Sequence, residues 1–388
     1  MSFNMYVPTR ILFGEGELNN FHEQKMPGKK AMVVISNGKS TKENGYLART
    51  EEQLKTAGVE TVLFDKVEAN PLKSTVMLGS ALARVNDCDF LVALGGGSCI
   101  DAAKAIAVMT TNDGDYWDYI PSGSGKGKEI QNKPLPIVAI PTTAGTGSET
   151  DPGMVITNEK NEKTGFLDED LFPVLAIVDP ELMLTVPPKF TAYQGFDALF
   201  HSLEGYISNG GNILSDVYAL AAIENVARNL ARAVKNGNDM EAREKVAFGS
   251  TLSGLVMSVG ATTSQHSLEH AMSAFHHELP HGAGLIILSK AYFTHFINQH
   301  VCDGRFVKMA QAMGMEDAKD PMDFITTLVK LQEDCGVADL KMSDYGIKPE
   351  EFETLAKNAK ETMGFLFTVD RAELNIEDCV AIYEAAYK

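Results

Sequence analysis

The sequence predicts an α/β domain over residues 1–186 followed by an all-α domain over residues 187–388. Three observations predict it. Short β-branched runs alternate with helix-period segments through the first half. A run of three glycines sits between one such strand and the helix after it. Beyond the paired prolines Pro187–Pro188, strand-like runs become scarce and Ala, Leu, Met and Glu recur with helical period.

Taken in order, AMVVIS (Ala31–Ser36) reads as the first long strand, with a helix-compatible stretch from Ser40 to Ala57. TVLF (Thr61–Phe64), a helix through Met77–Asn86 and the strand FLVAL (Phe90–Leu94) follow. CIDAAKAIAVM (Cys99–Met109) is the next helix, and PIVAIP (Pro136–Pro141), MVIT (Met154–Thr157) and VLAIVD (Val174–Asp179) are later strands. Apolar strands separated by helices imply a mostly parallel sheet covered on both faces. In the second half, Tyr218–Val234 is an amphipathic helix, and Phe324–Gly336 is another that ends on a glycine suited to its C′ position. The chain shows no internal repeat and no low-complexity tract.

At 388 residues the chain is long enough for two domains with real cores. Its 52 acidic against 34 basic residues give a formal charge of −18, which excludes nucleic acid and anionic membrane surfaces as expected partners. No apolar run reaches the roughly 18 residues of a membrane span, and the N-terminus MSFNMYVPTRILFGEGEL lacks the pattern of a secretory signal. Cys88, Cys99, Cys302, Cys335 and Cys379 are scattered and odd in number, which reads as reduced thiols in a cytoplasmic protein.

Two turns carry ligand chemistry. ALGGGSCIDAAKA places Gly95, Gly96, Gly97 and Ser98 between a buried strand and a helix N-terminus, where free N–H groups suit a pyrophosphate. The spacing is neither GxGxxG nor a P-loop, and a plain structural turn is the bland alternative. PTTAGTGSETD (Pro141–Asp151) follows the next strand, and Thr142, Thr143, Thr146 and Ser148 offer hydroxyls to a ribose, phosphate or carboxamide. Two such loops at the carboxyl ends of consecutive strands are what a nucleotide crevice requires.

Five of the nine histidines (His266, His270, His276, His277, His281) lie within sixteen residues. GFDALFHSLEGY puts Asp197 and His201 four apart on one helix face, and His266 and His270 are likewise four apart, with His281 beyond. Two such pairs and a third imidazole, set among apolar residues, favour a metal over chance surface contacts. His277-Glu278-Leu279-Pro280-His281 matches the zinc-protease pattern HExxH, but Pro280 must end the helix that chemistry needs. His276 and His277 then read as a solvated helix end.

With these segments in hand, the chain resembles the iron-containing (group III) alcohol dehydrogenases. The resemblance runs from PTRILFGEG (Pro8–Gly16) through GGGSCIDAAK, PTTAGTGSE, VDPEL (Val178–Leu182) and GFDALFHSLEGY to LPHGAGLIIL. It implies a dinucleotide-binding α/β domain and an all-α metal-binding domain, the fold shared with dehydroquinate synthases. It makes Asp197, His201, His266 and His281 the metal ligands and His270 a polar contact or proton carrier near nicotinamide and substrate. Gly95, Gly96, Gly97 and Ser98 would hold the pyrophosphate with Asp101 close by, Thr142, Thr143, Thr146 and Ser148 would line the rest, and Lys163 would contact the cofactor. The resemblance favours Fe(II), although three imidazoles and a carboxylate also suit Zn, Mn, Co or Ni.

The turn SNGKSTKENG (Ser36–Gly45) has no acid until Glu43 to hold a ribose 2′-OH. Gly38, Lys39 and Ser40 offer room, charge and a donor for a 2′-phosphate, so NADP is favoured over NAD, the bland alternative being that Asn37 holds the ribose and both cofactors are accepted. The expected reaction is reversible hydride transfer between NAD(P)(H) and a primary alcohol, diol or aldehyde. The family also assembles as dimers or larger rings. The rival is a metal- and NAD-dependent lyase or cyclase of dehydroquinate synthase type, which would want a more basic pocket.

Overall fold

The computed structural model describes residues 3–388. They fall into two compact units. One comprises Val7–Thr143 and Gly147–Thr185; the other comprises Val186–Lys388 with Ala144–Thr146 and the N-terminal segment ending at Tyr6.

The first unit begins with β1 (Arg10–Phe13) and β2 (Lys30–Ser36), then α1 (Ser40–Glu43), α2 (Tyr46–Thr56), β3 (Glu60–Val67) and α3 (Lys73–Val85). The stretch expected as one helix from Ser40 to Ala57 is therefore broken. The break falls at Asn44–Gly45, where Gly45 adopts φ 75° and turns the chain out of the right-handed path. Next come β4 (Phe90–Gly95), α4 (Gly97–Thr111), β5 (Ile137–Pro141), β6 (Gly153–Thr157), β7 (Lys163–Leu167) and β8 (Leu175–Val178).

Six strands pair in parallel in the order β1-β8-β5-β4-β2-β3. The run Met154–Thr157 is not among them: it pairs antiparallel with β7 in a separate hairpin. An apolar four-residue run reads the same in either sheet, so its pattern alone does not say which one it joins.

The strand period of two sorts the core into two faces. Met32 and Val34 of β2 and Leu91 and Ala93 of β4 pack with Val76 and Ala83 of α3 and Ile100 to Met109 of α4. Their neighbours Ala31, Val33, Ile35, Phe90, Val92 and Leu94 pack on the other face with Leu18, Phe21, Tyr46, Leu47 and Leu54. Burial on both faces explains why β2 and β4 are continuously apolar.

The second unit holds α5 (Pro188–Ile207), α6 (Ile213–Lys235), α7 (Met240–Val259), α8 (Ser264–Phe275) and α9 (His281–Asn298). It continues through α10 (Asp303–Ala312), α11 (Met322–Asp334), α12 (Phe352–Met363) and α13 (Ile376–Ala386), with no strand among its described residues. Gly336, at φ 69°, follows the Cys335 cap of α11 and so fills the left-handed position expected of it. Helix α5 is buried along most of its length, so it can present polar side chains only inward. Glycines set how closely its neighbours approach. A Cβ on Gly282 would stand 2.1 Å from the Tyr193 carbonyl oxygen of α5, and one on Gly284 would stand 2.7 Å from Glu269 Cγ of α8. No single helix among the described residues is long and apolar enough to cross a membrane, and all five cysteines are free thiols.

Candidate active site

In the sheet unit, sequential connections leave β2 in opposite directions: β3 lies on one side of it and β4 on the other. The carboxyl ends at such a switch point form the ligand crevice of open α/β sheets. The β2 end carries Gly38, Lys39 and Ser40, all exposed, with Lys39 at the N-cap of α1. A Cβ on Gly38 would meet nothing closer than Ser36 Oγ at 3.5 Å, so the turn has room.

The β4 end carries the triple glycine. Gly96 caps α4 in extended conformation, and Gly97, Ser98 and Cys99 form its first turn, where the Cys99 N–H already donates to the Gly96 carbonyl at 2.9 Å. The neighbouring β5 turn is registered to it by the Thr142 N–H, which donates to the Gly95 carbonyl at 3.0 Å. A Cβ at Gly96 would come within 2.8 Å of Thr143 Oγ1, so a side chain here would fill the space between the two turns.

Two of the residues expected at the cofactor are also hydrogen-bonded within the fold. Asp101 accepts from Ser148 Oγ at 2.7 Å and from the Val155 N–H at 3.0 Å. Burial pushes its carboxyl up to about 6, even with Lys104 and Ser148 pulling the other way. Asp101 and Ser148 thus brace the loop. Lys104, fully buried, was not singled out from sequence: its Nζ donates to the Ser148, Asp151 and Gly153 carbonyls at 2.7, 2.8 and 2.7 Å. Lys163 opens β7 and donates to Asn70 Oδ1 at 3.0 Å.

The helical unit brings four sequence-selected residues together. Asp197 Oδ1 lies 3.4 Å from His201 Nδ1, 3.6 Å from His266 Nε2 and 3.4 Å from His281 Nε2. Ligand bonds of about 2.0–2.2 Å in a tetrahedron put ligand atoms roughly 3.3–3.6 Å apart, so these spacings are those of a coordination edge. Asp197 Oδ1, His201 Nδ1 and His266 Nε2 are buried without a hydrogen-bond partner, a costly state that a cation relieves. The donor set therefore fits a divalent metal.

Burial alone would raise the Asp197 carboxyl, but His201, His281 and His266 reverse this and hold it well below the usual range. His201 goes down, because burial disfavours its charged form. His266 goes up despite burial, because Glu204 and Asp197 stabilise its charge.

Two carboxylates not foreseen from sequence complete the centre. Glu204 Oε1 lies 2.7 Å from His266 Nδ1, while its Oε2 accepts from the Thr263 N–H and hydroxyl at 3.0 and 3.1 Å. Glu269 pairs with His281 Nδ1. Each fixes a ring so that Nε2 faces the centre. Their signal was in the sequence after all. The tetrapeptide His-Ser-Leu-Glu occurs at 201–204 and again at 266–269. Each glutamate serves a histidine on a later helix: Glu204 on α5 serves His266 on α8, and Glu269 on α8 serves His281 on α9. Gly145 was also passed over. It belongs to the helical unit, where a Cβ would sit 3.2 Å from Asp197 Oδ2.

His270 stands beside the cluster, its ring centroid 5.2 Å from that of His281, with Nδ1 against the Met363 sulfur. The HExxH match dissolves as expected. Helix α8 ends at Phe275, Pro280 caps α9 and His281 is the first residue of α9, while His277 and Glu278 are exposed. His276 is tied to Glu351 at 3.1 Å.

A switch-point sheet and a buried site fit for a cation define a class of metal-dependent enzymes with a crevice suited to a dinucleotide. The sequence then places the chain more narrowly. Residues 8–180 match the iron-containing alcohol dehydrogenase model and residues 191–387 match the C-terminal model of the Fe-containing alcohol dehydrogenase family, so the chain belongs to that family. It is 33% identical to the 1,3-propanediol dehydrogenase of Klebsiella pneumoniae over 100% of both chains. It is also 33% identical to the probable NADH-dependent butanol dehydrogenase 2 of Bacillus subtilis over 99% of each. Among solved structures, an archaeal halo-thermophilic alcohol dehydrogenase from a Red Sea brine pool superposes with a TM-score of 0.94 at 33% identity, covering 100% of this chain and 99% of that one. The chain is accordingly a nicotinamide-dependent alcohol dehydrogenase, and the lyase alternative falls away.

Proposed function

We propose that Asp197, His201, His266 and His281 hold Fe(II) and that the enzyme interconverts a primary alcohol or diol with its aldehyde. The observation that carries this is the set of three contacts of 3.4–3.6 Å converging on Asp197 Oδ1, with orphaned atoms on Asp197, His201 and His266. Zn, Mn, Co and Ni suit the same donors, so the metal is decided by reconstitution rather than by affinity order.

Held by these four residues, a divalent metal would supply Lewis-acid polarisation of the substrate oxygen. The protein's part is placement. Gly95, Gly96, Gly97 and Ser98 form the pyrophosphate turn, and Thr142, Thr143 and Thr146 offer hydroxyls to the remainder of the dinucleotide. Asp101 and Ser148 hold that loop in shape. Lys163 supplies a cation on β7. His270 accepts the substrate hydroxyl proton in oxidation and returns it in reduction.

For the cofactor, Gly38, Lys39 and Ser40 at the β2 end favour NADP(H). Room at Gly38 and the exposed ammonium of Lys39 support that reading, whereas the B. subtilis relative is named for NADH. The free thiols fit a cytoplasmic enzyme, and a homodimer or larger ring is the assembly proposed.

His281→Ala tests the centre: retained stoichiometric metal together with full alcohol oxidation would refute the ligand assignment. A panel of short alcohols, diols and aldehydes with both cofactors, on metal-reconstituted protein, tests the rest. A tenfold preference in kcat/KM for NADH, about 1.4 kcal/mol, would sink the 2′-phosphate reading.

A further inference from the structure

Helices α5 and α8 carry Asp197, His201 and His266, yet they do not pack along a shared seam; both pack on α9 instead. Their mutual placement at the centre therefore depends on polar links between them. The His201 and His266 ring centroids lie 4.2 Å apart with 29° between their planes, so a small slide of one helix past the other opens the donor set. One link is Glu204, which reaches from α5 to His266 and Thr263.

A second link comes from a distant stretch of chain. Asp370 and Arg371 lie between α12 and α13. The buried Asp370 accepts from the Ser264 N–H at 3.2 Å. Ser264 is the first residue of α8, two before His266, and its N–H has no acceptor within the helix. Arg371 turns the other way. Its Nε and Nη2 donate to the Ile207 and Ser208 carbonyls at 2.6 and 3.0 Å, where α5 ends and its carbonyls likewise lack helical partners. A guanidinium there also meets the negative end of the helix dipole.

The dipeptide is itself held in place. Asn209, just past α5, donates its N–H to the Val369 carbonyl and its Nδ2 to the Asp370 carbonyl, both at 2.8 Å. The buried Tyr292 hydroxyl of α9 lies 3.2 Å from Asp370 Oδ1 and 2.9 Å from Thr263 Oγ1, so its one proton has an acceptor on either side. The joint thus touches all three helices that carry the candidate ligands.

We infer that Asp370 and Arg371 are positioning residues of the metal centre, a clip that fixes the start of α8 against the end of α5 and so sets the spacing of His201 and His266. The clip acts through the two helices. It rests on the ligand assignment proposed above.

The experiment loads the full chain with Co(II), one of the metals that suit the donors, and reads affinity by chelator competition, the visible ligand-field spectrum and Tm. It compares Asp370→Ala, Asp370→Asn, Arg371→Met, His281→Ala and, as a stability control, the cavity variant Leu328→Ala in α11. Asp370→Ala and Arg371→Met should each weaken Co(II) binding about tenfold, as loss of an outer partner does, and alter the spectrum. Asp370→Asn, whose amide oxygen still accepts from Ser264, should recover most of that loss. Leu328→Ala should lower Tm while keeping affinity and spectrum. Arg371 is only half-buried, so Arg371→Met decides the question if Asp370→Ala does not fold. The clip is overturned if either variant keeps wild-type affinity and spectrum, or if Asp370→Asn falls as far as Asp370→Ala. It is also overturned if Leu328→Ala loses as much affinity, because binding then follows stability alone. His281→Ala separates the two readings: if it too binds Co(II) fully, the ligand assignment fails and the clip goes with it.

Discussion

The carboxylate of Glu204 on α5 meets the imidazole of His266 on α8 at 2.7 Å, across 62 residues of sequence. The other oxygen of Glu204 takes two donors from Thr263, which stands at the N-cap of α8. One buried side chain thus fixes both the ring that faces the metal centre and the start of the helix that carries it.

That double duty makes Glu204→Gln informative. The Thr263 donors require the amide oxygen on their side, so the amide NH₂ must face His266 Nδ1. The ring must then expose its lone pair to the glutamine and point a proton at the centre. Metal affinity should fall by about 10–100-fold, and Glu269→Gln should weaken it similarly through His281. Competitive chelator titration reads both, and unchanged affinity in the two variants would contradict the arrangement.

Gly282 is required by close approach. Its ideal Cβ lies 2.1 Å from the backbone oxygen of Tyr193, which cannot rotate away, so Gly282→Ala must push α9 off α5. A cost of about 1–3 kcal/mol is expected, with metal lost as His281 moves. Gly304→Ala in α10, where a Cβ meets nothing within 4 Å, is the control and should be neutral or gain about 0.5 kcal/mol. Denaturant melts of the two variants make the comparison.

Lys104→Met should loosen the cofactor turn. It strips one ammonium from three carbonyls and leaves Asp151 without its ion pair, both inside the fold. Losing one partner of a buried pair costs about 3–5 kcal/mol. A large drop in Tm and a raised KM for the dinucleotide, with the metal content intact, are expected. An unchanged cofactor KM would show that the brace does not reach the cofactor turn.

Asp370 predicts a pH dependence of stability. Burial pushes its carboxyl up to about 7, although Ser264 and Tyr292 donate to it. A carboxyl raised on folding favours the folded state most when protonated. Its contribution is therefore full below the unfolded value of 3.8 and is lost as pH rises through about 7. Asp370→Asn cannot ionise, so the wild type should lose stability relative to the variant across that window, by about 4 kcal/mol at most. Parallel stability–pH curves for the two proteins would rule this out.

Legibility in the sequence followed the range of the interaction. The Asp197–His201 pair, the triple-glycine turn and the Pro280 break each depend on a few adjacent residues, and spacing or steric rules expose them. The helix break at Gly45 was also local, but Gly45 lies inside a helix-compatible pattern that hid it. Glu204 and Glu269 were written in a repeated His-Ser-Leu-Glu whose meaning needs the partner helices.

By itself, the sequence determined the two-part architecture, the turns that suit a dinucleotide, and the residue types that converge on the metal centre. These rest on periodicity, chain-breaking residues and donor chemistry, all encoded within a few turns of the chain. Only the tertiary structure decided that the Met154–Thr157 run leaves the sheet, that Asp101 and Ser148 turn inward, and which glutamate holds which histidine. Those outcomes depend on which distant groups share a desolvated interior. There an unpaired polar atom costs more than any local preference can repay.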